Sequence, residues 1–394
     1  MYLVIITTVT TVTYCCSSGK KTDDHSGEIR EIHIDPESRQ IGKLTLNELV
    51  ESIEYIPLET TDDCLIGDIT NSIFSENYML LTCRITRRCY LFNRTGRFIA
   101  PIGNIGQGPG EYAFIPELLR IDEKNNQVVL ATTRPQQLMY YRLNGEFIKS
   151  DSIEHFSSAR KMSYHDGFYL IKVRNEGNTP YSYLVLNDDL KLVTENIKPV
   201  SFTMNPPGST GGIGTPFCQY VYDSQVHIRE NQLNDTLYRI SSDFNFIPKY
   251  VFNLKGEISL EIRSDVNLMM REMRNLPSMN SIFEINDYLL FSYRFLQELN
   301  VPCYYVRSDD RLLYFSSSSG IPNDYDGGLD FWPQYQHNNQ YISYHQVHLF
   351  EEHLERSDKL KPQGTSEVIN RFEKISQKID REDNPVMVVV IFKN

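Results

Sequence analysis

Six short runs, YMLLTCR, VVLATTR, FYLIKVR, VHIR, YLLFSYR and YISYH, each end on a basic side chain or a histidine: Arg84, Arg134, Arg174, Arg229, Arg294 and His345. Guanidinium groups that converge in a concave, partly dry site bind carboxylate, sulfate or phosphate through paired hydrogen bonds. If the runs are equivalent strands of a closed ring, these six side chains surround one mouth of its central channel. Otherwise they are solvated, or paired with acids, which the chain has in excess. A second stretch, NDYDGGLDFWP at 323–333, sets Asp324, Asp326 and Asp330 among paired glycines, with Tyr325 and Trp332 beside them. Its carboxylates suit Ca²⁺ in ligand type, but the spacing departs from an EF-hand loop and the closing glutamate is missing. The other readings are ligand contact through Tyr325 and Trp332, or a turn-rich connector. In HQVHLFEEHLER, a helix would put His348 and Glu352 on one face, near His345, His353 and Glu351. HExxH is absent, and an exposed amphipathic segment explains the same letters.

The glycine-rich stretch GNIGQGPGEY (103–112) does not cradle phosphate. It matches neither GxxxxGK[ST] nor GxGxxG, and Pro109 removes a backbone N–H that an anion would use. It reads as a corner between the last strand of one sheet and the first of the next. No GxSxG elbow and no local Cys–His signature occurs, so no catalytic residue is assigned. Cys64, Cys83, Cys89, Cys218 and Cys303 contain no CxxC pair, which argues against zinc. Cys83 and Cys89 could face each other on adjacent strands and form a bridge in an oxidising compartment, or be small buried hydrophobes.

The elements that position these residues repeat. RCYLFNRTGRFIA (88–100) and QLMYYRLNGEFIK (137–149) share a hairpin whose glycine supplies positive φ, and place Phe98 and Phe147 49 residues apart. Leu192, Phe246 and Leu312 follow in the same slot at spacings of 45, 54 and 66. Antiparallel units of this length cannot bury both faces alone, which predicts an all-β, six-bladed propeller, with seven blades as the alternative. The expected blades are 66–102, 112–153, 157–198, 216–254, 281–318, and a sixth from 330–347 plus both termini. There PVMVVVIFKN pairs near IEYIPLE (53–59) and closes the ring. Two helical decorations are expected, at 256–277 and 366–383, the latter with Val368, Phe372, Ile375 and Ile379 on one stripe.

Composition sets the class. Of 394 residues, 40% are hydrophobic and 23% charged, as in an ordinary soluble domain, and the 25 tyrosines and 20 phenylalanines favour strands. A formal charge of −12 argues against a nucleic-acid partner. The uncharged run YLVIITTVTTVTYCC reads as an export signal over 1–16, with Cys16 as the lipidated residue and 17–44 as a flexible tether to a single domain over 45–394. No basic residue precedes the run, and the residue before Cys16 is Cys15, not a small one.

YIPLET, GQGPGEY, NDTLYRI, NDYDGGLDFWP and DNPVMVVVIFKN, in that order, resemble the six-bladed, NHL-like β-propeller proteins of Bacteroidetes, many of them lipoproteins. The resemblance implies six blades and a cell-envelope location, and carries over no catalytic residues. The expected function is a monomeric envelope binding or scaffold module for an acidic glycan, a peptide or a partner protein, touching the membrane only through its lipid. The alternative is a propeller hydrolase or lyase. No cofactor is expected apart from the Ca²⁺ reading above.

Overall fold

A computed structural model describes residues 29–116, 118–153, 159–173, 180–196, 201–207, 217–230, 235–257, 259–272, 275–356 and 360–393. Six sheets are arranged as the blades of one propeller. Blade 1 runs Ile69–Phe74, Tyr78–Cys83, Arg88–Asn93, Phe98–Ile102, and blade 2 runs Leu118–Asp122, Gln127–Thr133, Gln136–Arg142, Phe147–Ser152. Blade 3 is Ala159–His165, Phe168–Val173, Tyr183–Asn187, Leu192–Asn196; blade 4 is Phe217–Tyr222, Gln225–Glu230, Thr236–Ile240, Phe246–Leu254. Blade 5 is Ser278–Ile285, Tyr288–Phe295, Glu298–Val306, Arg311–Tyr314. In blade 6, Tyr335–His337 and Gln340–His345 are followed by C-terminal Val386–Phe392 and then N-terminal Val50–Pro57, so the two ends of the chain close the ring in one sheet. The first strands of blades 1 and 2, 2 and 3, 4 and 5, and 6 and 1 touch one another, and so do those of blades 4 and 6, which places the first strands innermost.

Strand periodicity explains why the blades cannot stand apart. Side chains alternate across a strand, so Leu80 joins the apolar cluster shared by blades 1 and 2 while Leu81 joins the one shared by blades 6 and 1. Val129 and Ala131 face blade 3, whereas Val128 and Leu130 face blade 1. The C-terminal strand reads as unbroken apolar sequence for the same reason: Met387 and Val389 face blade 1, and Val388 and Val390 face blade 5. The contacts from blade 6 through blades 1, 2 and 3 to blade 4 are each a core of their own, while those of blade 5 with blades 4 and 6 merge into one.

The glycine-rich stretch is a corner. Asn104–Ile105 and Glu111–Tyr112 form a small parallel pair between blades 1 and 2. Gly110 has φ +76, and its carbonyl accepts from Tyr141 Oη at 3.0 Å; Tyr112 Oη accepts from Cys89 N at 3.2 Å. A nucleotide would find these groups already engaged.

Several details depart from expectation. Within the expected tether, Arg30–Ile34 is a strand, added in parallel to Phe246–Leu254 as the fifth of blade 4. The stretch 256–277 holds two short helices, Leu260–Ser264 and Val266–Glu272, broken where Asp265 turns extended. The last helix stops at Ser376, because Asp380 and Asp383 then bond each other's backbone in a turn. Val347–Glu355 is also helical. Cys83 and Cys89 are buried free thiols. Cys83 lies opposite Arg88 and Cys89 opposite Thr82, one residue out of register, which sends the two sulfurs to opposite faces of the sheet.

Candidate ligand cavity

Each first strand ends in a short turn and returns as the second strand. The turns 75–77, 123–126, 166–167, 223–224, 286–287 and 338–339 therefore lie on one face of the ring, and the far ends of the second strands on the other. The turns stay short because their residues accept positive φ: Asp223 and Ser224 sit at +49 and +58, the pairing of a tight hairpin turn. The first-turn face opens into a cavity of about 2890 Å³ whose rim draws residues from all six turns.

The basic residues singled out in the sequence end up elsewhere. Arg84, 72% exposed, pairs with Asp68 at 2.6 Å. Arg134 is exposed and Arg294 half-buried. Arg229 has no exposed surface; its guanidinium lies 5.3 Å from the centre of the Phe252 ring and 3.7 Å from Glu257. His345 is half-buried against Phe350, and burial lowers it to about 4. None of these five lines the cavity. Arg174 and Cys16 fall outside the described residues.

The acidic loop 323–333 is a fastening for the N-terminal segment. Asp324 accepts from Thr45 Oγ1 and Asn47 N, both at 3.0 Å, and from Gln363 Nε2 at 2.8 Å. Asp326 accepts from Tyr55 Oη at 2.9 Å, from Asn323 Nδ2 at 2.8 Å and from Gly328 N at 2.9 Å, and burial raises its pKa. Asp330 accepts from Ser317 Oγ and Asn323 N. The carbonyl of Tyr325 takes Gly364 N, and Trp332 Nε1 donates to Ser281 Oγ at 3.0 Å. These carboxylates are turned toward protein donors. His353, on the helix expected to pair His348 with Glu352, bonds the carbonyl of Gly327. Among the described residues no group of three His, Cys, Asp or Glu side chains converges as metal ligands would.

The cavity has a charged corner between blades 4 and 5 that the sequence reading missed. Glu284, on the first strand of blade 5, is fully buried. Lys249 Nζ reaches both its oxygens at 2.9 Å, Arg307 Nη1 reaches Oε1 at 2.6 Å, and Tyr220 Oη donates to Oε2 at 3.1 Å. Burial works to raise the Glu284 carboxyl, but the cations, Lys249 first, hold it below its ordinary value. His227 stacks flat on Tyr220 at 4.8 Å and is lowered to about 4 by burial and by Lys249. It is therefore neutral: Nδ1 donates to the Gln225 carbonyl at 3.0 Å and Nε2 accepts from Lys249 at 3.3 Å. Burial lowers Lys249 even so. Arg307 Nη2 donates to Tyr222 Oη at 3.3 Å, and Arg239 Nη1 to Gln225 Oε1 at 3.1 Å. The available signal was a charged residue inside an apolar strand, Glu284 between Phe283 and Ile285, because a lone buried charge is costly unless partnered.

Across the cavity one cation meets two acids. The Arg120 guanidinium lies 3.5 Å from the Tyr164 ring centre and within 3.5 Å of both Asp122 and Asp188. Ser163 Oγ and His165 Nε2 are 3.0 Å apart, the residue types of a nucleophile and its base. The Gln219 amide, however, lies against both groups: it bonds Ser163 Oγ through Oε1 at 3.1 Å and Nε2 at 2.8 Å, and Nε2 also sits on that same imidazole nitrogen.

With this geometry in hand, a family model described as a domain of unknown function, DUF4934, matches residues 29–391. A solved structure of a protein described as exported, from Bacteroides fragilis NCTC 9343, superposes with a TM-score of 0.67 at 16% identity, over 93% of this chain and 100% of that one. A member of the DUF4221 family from Bacteroides vulgatus ATCC 8482 gives a TM-score of 0.48 at 11% identity, over 88% and 97%. No curated protein matches in sequence.

Proposed function

We propose that this chain, which belongs to the DUF4934 family, is an exported binding module that holds a glycan in the cavity of its first-turn face. The observation that carries this reading is that all six blades send a turn to the rim of one large opening whose wall is as apolar as it is polar. Amide and hydroxyl groups such as Asn71, Ser163, Gln219 and Gln334 share its wall with aromatic rings such as Tyr164 and Tyr222. Sugars ask for that mixture, since their hydroxyls need directional partners and their C–H faces an apolar one. The apolar run ending at Cys16 supports export with a lipid anchor.

The test is hydrogen exchange on the full chain with and without oligosaccharides selected from a glycan array. Binding with new protection at 75–77, 166–167, 223–224, 286–287 and 338–339 is expected. Protection confined to the loops after Arg84, Arg134 and Arg294, or an array on which nothing binds, would overturn the reading.

A further inference from the structure

We infer that the corner between blades 4 and 5 is a carboxylate subsite, so that the glycan is an acidic one that presents a uronic acid there. The inference rests on the glycan reading for the sugar and on local charge for the acid.

Two cations, Lys249 and Arg307, meet one carboxylate, Glu284, and a third, Arg239, lines the cavity beside them without touching it. Lys249 is spent: its three N–H bonds go to the two Glu284 oxygens and to His227 Nε2. His227 adds no charge, being neutral above about pH 4. Arg307 commits Nη1 to Glu284 and Nη2 to Tyr222 Oη, which leaves further guanidinium N–H bonds. Arg239 lines the cavity and gives one N–H to the neutral amide of Gln225. It makes no ion pair among the described residues. Tyr222 Oη accepts from Arg307, and its own proton remains to be donated.

With the rim counted, Arg30, Arg239, Lys249 and Arg307 stand against Glu284, Asp223 and Asp287, so fixed donors and an excess of one positive charge face the same opening, in a protein whose overall charge is −12. The nearby rim acid Asp287 is engaged by Ser308, through its backbone N–H at 2.9 Å and its hydroxyl. A carboxylate placed here would take the Tyr222 proton and the open edge of Arg239, the planar two-donor arrangement that arginine offers to carboxylates. Glu284 holds Arg307 in position from behind, and its burial keeps it from competing for the ligand's place.

The experiment titrates the full chain with sodium glucuronate, its methyl ester and glucose, following the melting temperature and isothermal heat. Glucuronate raises the melting temperature, and the ester and glucose do so at least about tenfold more weakly by concentration. Arg239→Met removes the preference for glucuronate without lowering the unliganded melting temperature, since Arg239 lies outside the Glu284 network. Tyr222→Phe weakens glucuronate and leaves glucose unchanged. Equal response to glucuronate and its ester, or no response to either, overturns the carboxylate subsite even if array glycans bind. An intact glucuronate response in Arg239→Met does the same. Glucuronate binding with no oligosaccharide bound leaves the subsite standing and removes the glycan reading instead.

Discussion

The two faces of the ring use charge in opposite ways. On the first-turn face, charged groups are gathered inward and desolvated: Glu284 is fully buried, with Lys249 and Arg307 closing over it. On the opposite face, Arg84 meets Asp68 with 72% of its side chain in solvent, and Arg134 stands exposed. That face also displays apolar side chains, Ile85 at 70% and Leu299 at 78% exposed, whereas the first-turn rim carries Glu76, Lys124, Asp223 and Asn338. The difference lies in depth. Glu284 and Lys249, inside a first and a fourth strand, are carried into the gap between blades 4 and 5, while Arg84 and Arg134, just past second strands, are left at the rim.

Depth decides what each ion pair is worth. A carboxylate surrounded by partly buried cations cannot be removed without stranding them. Glu284→Gln is therefore expected to cost about 3–5 kcal/mol of unfolding free energy, as when one member of a buried pair is deleted. Asp68→Asn, which deprives Arg84 of its partner on the other face, should cost about 0–1 kcal/mol. Urea titrations of the two variants side by side measure the contrast. Equal losses would mean that the Glu284 network is as well hydrated as the surface pair, and the difference between the faces would vanish with it.

The acidic loop offers an intermediate case, buried but built from neutral donors. Asp324→Ala deprives Thr45, Asn47 and Gln363 of their acceptor. Charge-assisted bonds of this kind are worth about 1.5–3 kcal/mol each, with part recovered by water. A loss of about 2–3 kcal/mol is expected, accompanied by faster hydrogen exchange at 45–49, the segment the loop fastens. A change in stability without that local effect would mean the loop does not hold the N-terminal segment.

The architecture was readable because it rests on short-range rules. Alternation of apolar residues and a tight turn at positive φ recur from blade to blade, the turn held by Gly96 and Gly145 in blades 1 and 2 and by Leu190, Phe244 and Asp310 in blades 3, 4 and 5. The terminal partners could be named because PVMVVVIFKN is apolar on both sides and must lie between neighbours. The cavity was not readable on the same terms. Its charged corner joins residues 227, 239, 249, 284 and 307 from two blades, and no local spacing relates them. The arginine series was a true regularity of strand position, yet its described members lie at the face opposite this cavity or in the interior. Arg229 shows the hazard most clearly, since the same place in the repeat put it in the interior against Phe252. The one local clue to the corner was thermodynamic, an acid between two apolar residues in a strand.

Acid separates the faces more gently. Burial holds His165 and His227, on the cavity side, and His345, at the end of its second strand, at about 4 against an ordinary 6.5. These imidazoles stay neutral in the folded chain but take up protons when it unfolds. Stability is therefore full above pH 6.5, falls as pH drops from 6.5 toward 4, and levels off below that for these groups. Each contributes at most about 1.4 kcal/mol per pH unit across that window. Glu284, held low by its cations, adds a further loss that begins as pH falls through its ordinary 4.5, where the unfolded carboxyl takes up protons, and ends once the folded one is protonated too. His227→Gln and His345→Gln should each flatten the pH dependence of the urea midpoint by about one proton. Only the first should alter glucuronate binding, because only His227 touches the Lys249 network.

The smallest effect expected is the most exacting for the comparison. Arg84→Ala and Arg134→Ala remove exposed guanidinium groups from the face opposite the cavity, and surface changes of this kind stay within about 0.5 kcal/mol. Neither should alter the glucuronate response, since the nearest route from either side chain to Arg239 passes through the packed interior of the ring, and screening attenuates exposed charges over about 10 Å at ordinary salt. The double variant should therefore match the parent in melting temperature, in glucuronate binding and in its salt dependence. A loss of binding in that variant, with folding intact, would return the ligand to the arginine-ended strands and show that desolvation of charge does not identify the working face of this propeller.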